Sequence, residues 1–109
     1  MRRQLEMQVL IKDIIKPAFA KDVLKLGRKP LIDTKKLVVA GHQMGATIAL
    51  LTGDKDSRVS AVMAHDPWLP VIEDLLEPHW QGTTALKKKP VNITNSEQWF
   101  KDEELVRKF

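Results

Sequence analysis

Gly41-His42-Gln43-Met44-Gly45 stands between a short run of buried-strand type, Leu37 to Ala40, and an apolar stretch of helical type. A strand, a sharp turn flanked by small residues, and a helix whose N-terminus faces that turn form the context of a nucleophile elbow. The residue at the centre of such a turn is expected to be Ser, Cys or Asp. Here it is Gln43. A carboxamide has no ionisable oxygen or sulfur and cannot be activated into an acyl-enzyme nucleophile.

A second feature with chemical potential is His65-Asp66-Pro67-Trp68, which closes a further apolar strand over Val59–Ala64. Asp66 then sits at the strand's C-terminal end, where it can orient a base or simply terminate the strand before a proline. Side chains alternate along a strand, so His65 is expected on the opposite side from Asp66 and poorly placed as a base for it. His42, His65 and His79 are scattered, without His-x-x-x-His or Glu-paired spacing, and no metal site is expected from them. Ser57, Ser60 and Ser96 all lie outside an elbow context. Trp68, Trp80 and Trp99 read as packing aromatics.

The elements that must position these residues follow from periodicity. Met7, Leu10, Ile11, Ile14, Ile15 and Ala18 recur at helical spacing, with Pro17 as a break and a further turn or two expected from Phe19 to Leu26. Met44–Leu51 reads as a nearly all-apolar helix stopped by Gly53, followed by a charged turn from Asp54 to Arg58. After an excursion containing Pro70, Pro78 and Trp80, a third strand is expected over Pro90–Thr94 and a polar helix over Ser96–Lys108. Lys87-Lys88-Lys89 precedes that strand and reads as a solvated loop. Strands that are apolar rather than alternating point to a parallel sheet covered on both faces. The fold class is therefore α/β. Three strands are few for a complete sheet, so the expectation is one partial domain, residues 1–109, from the centre of a larger sheet and incomplete at both ends.

Composition narrows the function classes. The chain has 109 residues, 43% apolar and 29% charged, and no cysteine, which excludes a disulfide framework, a thiolate metal site and a Cys nucleophile. The N-terminal residues lack an uninterrupted apolar segment of signal-peptide type. No run approaches the roughly 18 apolar residues of a membrane span. These features favour a cytoplasmic protein, or a secreted one if an upstream segment is missing. A net charge of +4 comes without an aromatic-interleaved basic patch, so nucleic acid is not expected as a partner. Exposed edges of a short parallel sheet make self-association an expectation.

From Ile32 to about Phe100 the sequence resembles the platelet-activating-factor acetylhydrolase family, the lipoprotein-associated and intracellular type II phospholipases of the α/β-hydrolase fold. Three blocks carry the likeness, in order. Leu37 to Thr47, centred on Gly41-His42-Gln43-Met44-Gly45-Ala46-Thr47, looks like the family's Gly-His-Ser-Phe-Gly-Gly-Ala-Thr. Asp66-Pro67-Trp68 looks like the Asp-Ala-Trp of its acid block, at the family's distance from the elbow. Pro90-Val91-Asn92-Ile93-Thr94-Asn95-Ser96-Glu97 looks like a strand that ends in Asn-Ser-Glu.

The resemblance implies a carboxylic-ester hydrolase that acts on phospholipids with a short or oxidised sn-2 acyl chain and needs no metal or cofactor. In the family, an elbow Ser attacks the ester carbonyl, a His serves as base and then acid, an Asp orients the His, and backbone N–H groups stabilise the oxyanion. Carried across, Gln43 occupies the nucleophile position, Asp66 the triad-acid position, and the Met44 N–H one oxyanion-donor position. The catalytic His is expected beyond Phe109, and the second oxyanion donor before Met1. The chain as written is thus expected to be catalytically inactive. Two readings of Gln43 stand open: a substitution where catalysis is no longer required, or a repurposed pocket in which the amide hydrogen-bonds a lipid headgroup or acyl carbonyl. The alternative function is a pseudo-hydrolase that binds lipid or a protein partner.

Overall fold

A computed structural model describes residues 2–26, 32–68 and 88–101. Along the chain these form α1 (Arg2–Ile14), a π-helical turn (Phe19–Val23), β1 (Leu37–His42), α2 (Met44–Lys55), β2 (Val59–His65), β3 (Val91–Thr94) and α3 (Glu97–Phe100). The three strands make one parallel sheet in the order β1-β2-β3. This is the α/β arrangement of central parallel strands with flanking helices expected from the apolar strand runs.

Helix α2 is the centre of the core. Ala46, Thr47, Ala49, Leu50, Leu51, Thr52 and Gly53 are all buried, because the helix packs on both β1 and β2 and is covered in turn by α1. Leu50 at 1% exposure meets Val59 and Val62 of β2, each equally buried, in one apolar cluster with Val39, Ile11 and Trp99. Each such side chain contributes about 1.5–3 kcal/mol on burial. The covered face of the sheet carries Val39, Val62 and Ala64. The other face carries Val38 and Met63, about half exposed, so among the described residues helices cover one face rather than the two expected.

Helix α1 ends at Ile14, ahead of Pro17, which cannot donate to a continuing helix. Beyond it the Leu24 N–H reaches the Phe19 carbonyl and closes the wider turn. Gly53 does not stop α2. The helix runs to Lys55 with Gly53 buried inside it, and its end is made by the Asp56 N–H bonding Thr52 O and by Lys89 Nζ donating to the carbonyls of Gly53 and Asp56, at 2.5 and 2.8 Å. A cation at a helix C-terminus satisfies orphan carbonyls and complements the dipole.

Lys89 thus departs from the solvated loop expected of the lysine run. It is partly buried in this cap, while Lys88 is exposed, and burial pushes its ammonium below the usual lysine range against the pull of Asp56 and Asp54. Asp56 itself is 4% exposed and takes two bonds from the Arg58 guanidinium, at 2.8 and 2.6 Å. Arg58 also donates to the Gln8 carbonyl, tying this turn to α1.

The excursion with Pro70, Pro78, His79 and Trp80, Lys87, and the end of the helix expected to reach Lys108 lie outside the described residues. Within them α3 is seen over Glu97–Phe100, with Ser96 as its N-cap: its hydroxyl accepts from the Trp99 N–H at 3.3 Å.

Candidate active site

The parallel register aligns the C-terminal ends of the strands. His42 of β1 pairs with His65 of β2, which pairs with Thr94 of β3. The residues that follow these positions form the site.

Gln43 leaves β1 with φ 52° and ψ −117°, a region that costs a non-glycine residue about 1–3 kcal/mol. The surroundings impose it. The Gln43 N–H donates to the His65 carbonyl at 2.9 Å, and its own carbonyl receives the Thr47 N–H at 3.1 Å. The turn is so sharp that a Cβ built on Gly41 would lie 2.2 Å from the backbone carbonyl of Gly45, which only a glycine permits. Gly45 has no such constraint: a Cβ there meets nothing within 4 Å.

The Gln43 side chain makes no capping bond to α2. Its first N–H groups, that of Met44 foremost, therefore lack helical partners and sit at the positive end of the dipole.

Asp66 leaves β2 with φ 47°. Its N–H donates to the Thr94 carbonyl at 2.9 Å, and its Oδ1 accepts the Ser96 N–H at 2.5 Å. Hydrogen bonds from Ser96 hold the carboxyl below the usual carboxylate range, helped by His65 and His42 and opposed by desolvation. The other oxygen, Oδ2, lies 3.8 Å from His42 Nε2 and 3.7 Å from His65 Nε2.

The neighbouring position of His65 corrects the expectation drawn from strand alternation. Alternation holds for extended backbone, and the positive φ at Asp66 turns its carboxylate back toward the preceding side chain. His42 and His65 stack with ring centroids 5.1 Å apart, so three groups that the sequence left scattered come together.

Two residues with no catalytic role expected of them hold this region in place. Ser96, which lies outside the elbow and opens the helix expected over Ser96–Lys108, joins Asp66 to the start of α3 as its N-cap. Thr47 is fully buried and its hydroxyl accepts the Trp68 N–H at 2.9 Å. Trp99 Nε1 donates to the Pro67 carbonyl at 3.1 Å and fixes the same segment from the other side.

Gln43, Met44, Asp66, Trp68, Ser96 and Trp99 line a cavity of about 790 Å³, with Pro67, Gln98 and Lys101 completing it. The elbow centre, the helix N-terminus after it and the strand-end carboxylate therefore share one cavity. The profile of the family described as platelet-activating factor acetylhydrolase, isoform II, matches residues 3–109. The chain belongs to that family.

Searches of curated proteins and of solved structures found no match. Membership makes the chain a platelet-activating-factor-acetylhydrolase-like hydrolase at the level of the family, with a phospholipid as the family's substrate. No helix among the described residues is long and apolar enough to cross a membrane.

Proposed function

We propose that this chain is an acetylhydrolase-type α/β-hydrolase domain in which Gln43 has replaced the nucleophile, so that it does not turn over esters as it stands. Asp66 keeps the triad-acid position and the Met44 N–H one oxyanion-donor position. The observation that carries the reading is the backbone of Gln43. A non-glycine residue held at φ 52° between a strand and a helix is the strained geometry that an elbow uses to project its central side chain. The frame persists while the side chain has become a carboxamide, which both donates and accepts hydrogen bonds but does not attack a carbonyl.

The test is hydrolysis of a phosphatidylcholine with a short sn-2 chain by the chain as it is and by Gln43→Ser. Neither is expected to exceed background, because the rings of His42 and His65 are drawn to Asp66 and among the described residues neither bonds residue 43. Turnover by the unaltered chain overturns the loss of catalysis. Turnover by Gln43→Ser alone, with an acyl adduct on Ser in the mass spectrum, overturns the absence of a base.

A second reading is favoured by the cavity itself. Its size, the two tryptophans in its lining and the uncapped N–H groups of α2 suit a short acyl ester held without cleavage. Saturable calorimetric binding of the same lipid below its micellar concentration, weakened by Gln43→Ala, supports it; no heat of binding removes it. Self-association through the half-exposed sheet face at Val38 and Met63 belongs to the same reading, and sedimentation velocity checks it.

A further inference from the structure

We infer that His42, His65 and Asp66 form a binding site for a divalent transition-metal ion, beside the cavity and sharing only Asp66 with it. One ligand atom from each of the three residues lies within 4.8 Å of the others. The arrangement comes from the sheet. His42 and His65 are register partners on adjacent parallel strands, so their side chains leave the sheet next to each other, and the turn at Asp66 brings a carboxylate oxygen within 4 Å of a nitrogen of each ring.

The chemistry of each atom suits a cation. Asp66 Oδ1 is committed to the Ser96 N–H, which leaves Oδ2 as the free ligand atom, and Oδ2 is the oxygen that faces both imidazoles. His65 Nδ1 bonds Thr94 Oγ1 at 2.8 Å. A partner on the far ring nitrogen is what orients a metal-bound histidine, and it leaves Nε2, 3.7 Å from Oδ2, as the coordinating atom. Two imidazole nitrogens and one carboxylate oxygen make a donor set for Zn²⁺ and its first-row neighbours.

Around an ion with bonds of about 2.0–2.1 Å, ligand atoms stand roughly 3.3 Å apart. The cluster therefore needs a modest contraction. The two rings can supply it by rotation, since their side chains are 59% and 50% exposed. Three ligands on one side leave open positions for water or an anionic group.

The experiment is calorimetric titration of the purified chain with Zn²⁺ alone, without lipid, so that its result is independent of whether the elbow hydrolyses or binds esters. One equivalent should bind. His42→Asn and His65→Asn should each weaken binding at least tenfold, and Thr94→Val by about 10-fold or more through loss of the orienting bond. The side chains of His42, His65 and Thr94 are exposed, and far-UV circular dichroism checks that each variant remains folded. The visible spectrum of Co²⁺ bound to the unaltered chain gives the coordination without any substitution. Failure to bind one equivalent of either ion overturns the site, as does binding that survives both histidine substitutions.

Discussion

The hydroxyl of Thr47, one turn into α2, accepts the N–H of Trp68 at 2.9 Å and lies 3.1 Å from the Trp68 carbonyl and 3.3 Å from that of Gln43. A single buried side chain thus ties the segment after Asp66 to the helix that follows Gln43. The two halves of the site come from different strands, and this bond sets one against the other.

Replacing Thr47 with Val keeps the shape and removes the hydroxyl, leaving the Trp68 N–H without its partner. The bond is part-buried, so its loss should cost about 1 kcal/mol. Urea unfolding of Thr47→Val should show a midpoint lowered accordingly at unchanged slope. A midpoint equal to that of the unaltered chain would mean that Trp68 is held by its other contacts.

The two glycines of the elbow should behave differently although the motif is symmetric. Gly41→Ala places a methyl group against the Gly45 backbone, and neither can move without opening the turn. It should abolish the cooperative melt or lower it by several degrees. Gly45→Ala meets open space in a helix and should stabilise by up to about 1 kcal/mol. Thermal melts of the pair decide it, and equal effects would contradict the steric argument.

Gln43→Gly should relieve the strain at φ 52°. Relief of about 1–3 kcal/mol is partly offset by the 0.5–1 kcal/mol that glycine loses in chain entropy, for a net gain of about 1 kcal/mol. A stability loss in chemical denaturation would show instead that the glutamine side chain makes compensating contacts.

Asp56 and Asp66 both have carboxyls held below the usual range, Asp56 chiefly by the Arg58 guanidinium and Asp66 chiefly by Ser96. A depressed folded-state value means that the unfolded chain binds protons first as acid is added. The stabilisation is complete above the ordinary carboxylate value of about 3.9 and is lost as pH falls through the lower folded-state values. Melting temperature should therefore hold steady from neutrality to about pH 5 and fall below about pH 4. Asp56→Asn should remove about 2 kcal/mol at neutral pH and make the acid decline shallower. An unchanged acid limb would mean that other groups govern it.

Much of this molecule is legible locally. Apolar runs at Leu37 and Val59, the Gly-rich turn between strand and helix, and Asp at a strand end specify parallel strands, a sharp turn centred on Gln43 and a carboxylate at the strand ends, because each depends on neighbours within a few residues. The reach of helix α2 past Gly53 was not legible, since the amine that caps it comes from Lys89, far along the chain. Nor was the meeting of His42, His65 and Asp66.

That meeting depends on the register between β1 and β2 and on one positive φ at Asp66, and register is a property of two strands packed on the same helix. Residue types and spacing by themselves determined the fold class and the family. Which side chains face one another across the strand ends was decided only by tertiary packing, because atoms distant in sequence come within bonding range only when the sheet aligns them.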